Sequence, residues 1–382
     1  MTNRNRIWVL GAPDPEMEAI ESLLRNCGEL IAYACNKKGE RVTPATAHRG
    51  ASVSYMTDAE RVENWYLVEC TVPVPDKASV QRIDHHRPGD HGYGRPPAEF
   101  LTASSIGQVI SVLLAAYYRQ RPPRALVGWL LETTSALRYT QRGHSTRVSG
   151  ESFGALFRAD DGFWCSWYPS GCVDYTNRDC YVVNDWVLYT AAADHCLGAA
   201  YRGECPGVDP DALLRWRVEQ RARFQGRNAE QILEDIERAR DLLSDPDTVE
   251  LAPGIRVVDV RGYCLVTHDC GRKELRHENY MDHVSHKHGC PGSPYTPRQW
   301  CNGWTVEPGI PELPDAAARE GVAYLATVSV DGSGRECRPK IVLGGCTTPE
   351  MVRAFLEDWA PAHGLVDCYG DPARGFAGGY LP

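Results

Sequence analysis

The sequence predicts an α/β protein with a parallel, doubly wound sheet in the N-terminal part and a smaller α/β region in the C-terminal part. Three observations support this fold class. Short apolar runs alternate with helical periodicity, the 382 residues exceed the usual size of one domain, and a helix-rich stretch separates two strand-rich parts. We therefore expect an N-terminal sheet domain at residues 1-150, an insertion and helical connector at 151-250, and a C-terminal substrate-binding domain at 251-382.

Apolar runs that end in turn residues predict the N-terminal strands. The first is Ile7–Leu10, and Pro15 then begins a helix with apolar residues at helical spacing. Further strands are expected at 30–34, at 65–68, in a short segment ending at Ile83, and at 125–131. The apolar segment 103–118 is predicted to be a helix. This alternation favours a mostly parallel sheet that is covered on both faces.

The middle of the chain is aromatic and cysteine-rich and then becomes helical. N-cap residues and prolines predict three helices, which begin near Asn184, Asp209 and Asn228. Arginines spaced along 215–227 are predicted to form a solvated face, with a phosphate groove as the alternative. Strands return at 255–260, 263–267, 322–330 and 341–343, followed by a helix at 349–359 and a glycine-rich end.

Composition and charge exclude several classes of protein. The chain has 41 Lys and Arg against 50 Asp and Glu, a net charge of −9, which disfavours a broad basic face for duplex DNA. No apolar stretch is long enough to span a bilayer and no secretory signal is found, so we expect a cytoplasmic protein with no membrane partner. The 15 cysteines are expected to be reduced thiols, with a zinc site as the alternative.

Acidic and imidazole side chains follow the predicted strands of the N-terminal sheet. They are Asp14, Glu16, Glu69, Asp84, His85, His86 and Glu132. Ligands of open α/β sheets bind at the carboxyl ends of the strands, and carboxylates that converge there repel one another unless a cation lies between them. A mixture of oxygen and imidazole donors suits manganese, iron or zinc better than calcium. The pattern therefore predicts a metal site that could clamp a phosphoryl group.

The segment Ile83-Asp84-His85-His86-Arg87-Pro88 resembles the signature of the DHH phosphoesterase superfamily. That superfamily includes RecJ-type exonucleases, short-oligoribonucleotide nucleases, cyclic-dinucleotide phosphodiesterases and manganese pyrophosphatases. Neighbouring segments resemble its other motifs in order: Pro13-Asp14-Pro15-Glu16, Glu69-Cys70, Ala103-Ser104-Ser105 and Gly128-Trp129-Leu130-Leu131-Glu132-Thr133. The resemblance covers about residues 1–140.

The resemblance implies roles for these residues. Asp14, Glu16, Glu69, His85 and Glu132 would hold the metal, while Asp84 and His86 would be catalytic, with His86 on the substrate phosphate. The chain departs from the family pattern because Leu10 replaces its first metal-binding histidine and glutamates replace three aspartates. Manganese is the implied metal, and the missing ligand favours one ion over two.

The end of the chain resembles, more weakly, the glycine-rich segment that closes the family's substrate domain. Residues expected to meet the substrate there are Arg338, Arg374, Gly375, Gly378 and Gly379. Two residues of the connector, His195 and Arg202, are also expected to contact substrate because they are polar groups on an apolar helix.

The leading prediction is a metal-dependent phosphohydrolase that acts on a phosphoester or phosphoanhydride, in a nucleotide or short oligonucleotide. The expected partner is a phosphorylated small molecule or nucleotide, and single-stranded nucleic acid is a further option. Two alternatives stay open. One is a group transferase that uses a phosphate-activated nucleotide or a modified DNA base, and the other is a non-catalytic nucleotide-binding module with a degenerate site.

Overall fold

The computed structural model describes most of the chain as a mixed α/β protein. The described residues are 5–43, 46–54, 62–116, 185–225, 227–244, 247–266, 312–329 and 340–381, with short strands between them. Those short strands are β6 (Thr146–Arg147), β7 (Phe153–Ala159), β8 (Gly162–Tyr168), β9 (Cys172–Val173), β10 (Cys180–Val182), β13 (Arg298–Gln299) and β14 (Thr305–Val306).

Five strands form the N-terminal sheet in the order β3-β2-β1-β4-β5. They are β1 (Arg6–Leu10), β2 (Leu30–Cys35), β3 (Ser52–Val53), β4 (Asn64–Val68) and β5 (Ser79–Ile83). Strand β1 pairs in parallel with β2 and β4, and β4 pairs in parallel with β5, whereas β3 is antiparallel. The parallel arrangement is therefore confirmed for these four strands, and the sheet as a whole is mixed.

Helices pack on one face of this sheet. They are α1 (Pro15–Asn26), α2 (Phe100–Ala103), α3 (Ser105–Ala116) and α4 (Asp185–His195), which share a core with Trp8 and Leu10 of β1. Because side chains alternate along a strand, Ile7 and Val9 face the other way, and residues of connecting segments such as Val42 and Val72 cover them. In the part of the chain that the structure describes, residues of connecting segments cover this second face, whereas the doubly wound sheet that the sequence predicts has helices on both faces.

Three further helices follow α4: α5 (Leu197–Tyr201), α6 (Pro210–Gln225) and α7 (Ala229–Leu243). Helices α4, α6 and α7 begin close to the predicted starts at Asn184, Asp209 and Asn228. Asn228 caps α7 by accepting from the Gln231 backbone N–H at 2.7 Å. The single helix expected to begin near Asn184 is instead broken at Cys196, between α4 and α5.

Six strands form the C-terminal sheet in the order β11-β12-β15-β16-β18-β17. They are β11 (Thr248–Ala252), β12 (Ile255–Val266), β15 (Ala323–Ser329), β16 (Lys340–Gly345), β17 (Val366–Asp371) and β18 (Phe376–Tyr380). Strand β12 pairs in parallel with β15, and the other pairs are antiparallel. Helices α8 (Leu313–Glu320) and α9 (Pro349–Ala354) belong to this region, and α9 continues through a π-helical turn at Phe355–Trp359 into the short helix α10 (Ala360–Ala362).

The turn between β17 and β18 reaches the loop that follows β5. The Tyr93 hydroxyl donates to the Gly370 carbonyl at 3.0 Å, and the Gly94 backbone N–H donates to Asp371 Oδ2 at 2.9 Å. The C-terminal sheet thus contacts the carboxyl edge of the N-terminal sheet. Among the described helices, none is both long and apolar enough to cross a membrane.

Candidate metal centre

Two neighbouring parallel strands deliver polar side chains to the same edge of the N-terminal sheet. Glu69 follows β4, and the Asp84-His85-His86 segment follows β5. Glu16 joins them from the first turn of α1, where its Oε1 accepts the Ile106 backbone N–H at 2.9 Å. That N–H belongs to the first turn of α3, whose positive helix end suits a carboxylate.

The backbone at Glu69 is strained and closely packed. Its φ of 49° lies in the left-handed region, which costs free energy for a residue other than glycine. A Cβ on Gly11 would lie 2.5 Å from the Glu69 carbonyl oxygen, so only glycine fits beside it. The ends of β1 and β4 therefore approach closely, and the Glu69 side chain is held in a conformation that the strand alone would not give.

Four side chains form the central donor group: Glu16, Glu69, His85 and Asp194. One potential ligand atom from each lies within 4.8 Å of all the others. His85 Nε2 lies 2.8 Å from Asp194 Oδ2 and 3.5 Å from Glu69 Oε1. A second group overlaps the first and consists of Glu69, His85 and His86. These buried acidic and imidazole groups are positioned to bind a metal ion.

Three carboxylate oxygens of the central donor group are buried without a hydrogen-bond partner, namely Glu16 Oε2, Glu69 Oε1 and Asp194 Oδ2. The last of these lies 2.8 Å from Nε2 of the neutral His85 ring. An unpaired buried carboxylate oxygen is costly, and buried charges in proteins are normally paired or coordinate a metal. The donor atoms therefore fit a cation that supplies the missing positive charge.

The electrostatics of the two glutamates agree with this interpretation, whereas the burial of Asp194 is outweighed by His85 and Arg374, which lower the pKa of its carboxyl group. Burial, reinforced by Asp194 and Glu69, raises the pKa of Glu16 well above its ordinary value. Burial likewise raises the pKa of Glu69 to about 7. Burial and the nearby charge of Arg374 lower the pKa of His85 to about 3, so the imidazole is neutral and keeps a lone pair for a ligand. A divalent cation at this point would favour the ionised form of both glutamates.

Arg374 is buried next to the central donor group, where its guanidinium contacts three backbone carbonyls and lies 3.5 Å from His85 Nε2. It donates to the carbonyl oxygens of His85 at 2.8 Å, His195 at 2.8 Å and Asp194 at 3.0 Å. Its Nη2 atom is 3.9 Å from Asp194 Oδ2. Arg374 therefore ties the turn after β17 to the end of β5 and to the last turn of α4. A contact with a substrate phosphate stays a prediction.

Asp84 and His86 form a separate pair at the margin of the donor group. Asp84 Oδ1 accepts from the backbone N–H of His85 at 2.7 Å and of His86 at 3.1 Å, and it lies 2.7 Å from His86 Nδ1. Burial alone would lower the pKa of His86, but the bond to Asp84 and the charge of Glu69 raise it to about 9. The His86 side chain is 41% exposed, so its imidazolium can meet a solvent-borne anion.

Several other predicted site residues have local structural roles. Asp14 caps α1 by accepting the Met17 N–H at 2.7 Å, and it belongs to neither donor group found among the described residues. Arg202 pairs with Glu204 at 2.6 Å. Glu132 and Arg338 lie outside the described residues, so their predicted roles stay predictions.

The glycine-rich end is a strand rather than a loop. Gly378 and Gly379 lie in β18, where a Cβ would meet the Tyr369 hydroxyl at 2.5 Å or the Cys368 sulfur at 2.9 Å. Gly375, with φ 76°, forms the turn directly after Arg374. Gly378 and Gly379 therefore allow close packing in the sheet, and Gly375 allows the turn. Contact of these glycines with a phosphate stays a prediction.

Asp194 is the ligand candidate that the sequence did not identify. Its signal in the sequence is an Asp-His pair inside an otherwise apolar helix, a pattern that predicts a substrate contact rather than part of a metal site. Only the packing of α4 against the sheet edge brings its carboxylate to His85. The predicted zinc alternative has no counterpart among the described side chains, because neither donor group found there contains a cysteine.

Comparison with known proteins adds no assignment to this site. No known protein family, no curated protein and no solved structure matches the chain.

Proposed function

We propose that this protein is a divalent-metal-dependent phosphohydrolase of the DHH type, acting on a phosphoester or phosphoanhydride of a nucleotide or short oligonucleotide. The observation that carries the proposal is the central donor group, in which the buried carboxylate of Glu16 and the partly buried carboxylates of Glu69 and Asp194 meet a neutral imidazole. Three oxygen atoms of these carboxylates have no hydrogen-bond partner. The resemblance of Asp84-His85-His86 to the superfamily signature favours hydrolysis of a phosphoester or phosphoanhydride as the reaction.

One group of side chains would hold the cation, and another would contact the substrate. Glu16, Glu69, His85 and Asp194 would hold the ion, with His85 Nε2 as the only nitrogen among them. When bound, a divalent cation acidifies water and offsets the negative charge of phosphoryl oxygens. Manganese is the proposed metal because the donor set combines oxygen with one imidazole.

His86 is placed to contact the phosphate. Asp84 holds its Nδ1 atom at 2.7 Å, which leaves Nε2 for a ligand, and the raised pKa keeps the ring positively charged near neutral pH. A charged imidazole hydrogen bond to a phosphoryl oxygen is stronger than a neutral one. His86 would therefore orient the substrate and stabilise charge on oxygen, while its partner Asp84 fixes the ring.

The first experiment measures metal binding and then activity. Manganese is titrated calorimetrically into the chelator-treated protein, and the loaded protein is screened against phosphomonoesters, cyclic dinucleotides, pyrophosphate and short oligonucleotides. We expect one ion per chain and manganese-dependent release of phosphate or a nucleotide. His86→Asn should keep the affinity for manganese and raise the KM for the substrate.

Two results would contradict phosphohydrolase activity and favour one of the alternative functions. Cleavage in ¹⁸O-labelled water without incorporation of label into the product would identify a transferase rather than a hydrolase. Nucleotide binding by a protein that takes up no divalent cation would indicate a binding module.

A further inference from the structure

His195 lies directly behind His85, on the side away from the central donor group. The two rings are stacked with centroids 5.3 Å apart, and the two Nδ1 atoms are 3.1 Å apart. The His195 Nε2 atom lies 3.4 Å from the carbonyl oxygen of Arg95. Both nitrogens of this ring therefore face protein atoms, and the residue is only 1% exposed.

The partners of these nitrogens restrict where the protons can lie when a cation is bound. A ligating imidazole must present an unprotonated Nε2 to the ion, so His85 then carries its proton on Nδ1. That N–H needs an acceptor, and the atom opposite it is His195 Nδ1. A neutral His195 that accepts at Nδ1 carries its own proton on Nε2, and the Arg95 carbonyl can only accept.

We propose that His195 is a positioning residue for the metal site, which fixes the tautomer and the ring orientation of His85 through a chain from His85 Nδ1–H to His195 and on to the Arg95 carbonyl. Neighbouring contacts support this arrangement. The guanidinium of Arg374 donates to the carbonyls of both His195 and His85, at 2.8 Å each, and so holds the backbone of the two histidines together. The inference rests on the proposed function, since it requires His85 to bind a cation.

The same geometry explains why His195 is a poor candidate for direct contact with a ligand. Its ring is separated from the carboxylates by the His85 ring, whose Nε2 atom points to Asp194 and Glu69. A histidine ligand commonly donates its second N–H to a neighbouring acceptor, and loss of such a partner typically lowers metal affinity by about 10- to 100-fold.

The test uses ¹⁵N-histidine NMR of the full chain loaded with zinc, a diamagnetic probe ion, and manganese affinities of variants. We expect the His85 spectrum to show a protonated Nδ1, and the His195 spectrum to show a protonated Nε2 and an unprotonated Nδ1. His195→Phe should lose about 10- to 100-fold in manganese affinity, because it keeps a ring but has no acceptor. His195→Asn should restore affinity to near the wild-type value, because its amide oxygen can occupy the position of Nδ1.

The matched control is His363→Phe, which changes an exposed histidine that contacts Trp359. It should bind manganese as the wild type does. A protonated Nδ1 on His195 in the zinc-loaded wild type, or equal manganese affinities for the Phe and Asn variants, would overturn the inference alone. Failure of the wild type to bind either ion would instead overturn the proposed function on which it rests.

Discussion

Two buried charge clusters of this protein are built from similar residues but differ in how the acids are neutralised. In the first, at the sheet edge, Glu16, Glu69 and Asp194 meet around His85. In the second, between the connector and α8, Arg217 donates two hydrogen bonds to Asp315, at 2.5 and 2.9 Å, and Arg221 lies 3.0 Å from Glu312. The second cluster, here called the arginine cluster, supplies its own cations.

The difference separates a structural cluster from a candidate ligand site. Burial would raise the pKa of Asp315, but Arg217 lowers it to about 2. Glu69 is also buried, and its pKa is raised to about 7. The arginine near the sheet-edge acids, Arg374, donates to three backbone carbonyls, and its Nη2 atom lies 3.9 Å from Asp194 Oδ2. Asp194 thus has a partial partner in Arg374, whereas Glu16 and Glu69 form no ion pair with an arginine or lysine among the described residues and are the acids expected to need a metal.

The largest expected effect comes from breaking the arginine cluster. Asp315→Asn leaves Arg217 buried without its carboxylate and should lower the free energy of unfolding by about 3–5 kcal/mol. Its manganese affinity, measured on the folded protein, should match the wild type. Denaturant titration and calorimetry give the two quantities. A large loss of manganese affinity with normal stability would reverse the roles that we assign to the two clusters.

The stability of the metal-free protein should fall as pH rises through about 7. The folded-state pKa of Glu69, about 7, lies above its ordinary value of 4.5, so the folded protein holds this proton more tightly than the unfolded chain does. This proton contributes on the order of 3 kcal/mol to the free energy of unfolding. The contribution is complete below a pH of about 4.5 and is lost above a pH of about 7. Denaturant titrations in chelator should show a shallower pH dependence for Glu69→Gln. Identical curves for the two proteins would refute the pKa assignment.

Loss of a ligand should weaken metal binding while sparing the metal-free fold. Glu69→Gln should reduce manganese affinity by at least about 100-fold, above the range seen for outer partners of metal ligands. Stability in chelator at pH 8 should stay equal or increase, because a buried negative charge is removed. Glu63→Gln is the matched control, since Glu63 is exposed and lies just before β4, whereas Glu69 lies just after it. Manganese binding by Glu69→Gln at wild-type strength would place the ion elsewhere.

The smallest expected effect comes from replacing Arg374. Its two physical roles predict opposite changes in manganese affinity. Removal of a positive charge 3.9 Å from Asp194 Oδ2 should by itself tighten cation binding. Removal of three hydrogen bonds to the carbonyls of His85, Asp194 and His195 should loosen the ligands. We expect positioning to dominate, with a loss of about 10-fold in manganese affinity for Arg374→Met. Tighter binding would show that the charge is the main contribution of Arg374.

Local sequence patterns determined the elements that depend on short-range interactions. The apolar run at Ile7–Leu10 became β1, and the N-cap at Asn228 begins α7, because alternation and capping depend on neighbours in the chain. The placement of Glu69 and His85 at one sheet edge was also predictable, since parallel strands bring their carboxyl ends together.

Contacts between distant segments decided what the sequence could not. Arg217 and Arg221 were predicted to lie on a solvated face, which is wrong, because α8 brings Asp315 and Glu312 to them. Asp194 lies 109 positions after His85 in the chain, and only the packing of α4 makes it a ligand candidate. The sequence by itself determined which strand ends carry acids and imidazoles. The tertiary structure decided which acids have a buried cation as partner, because that pairing depends on side chains that only folding brings together.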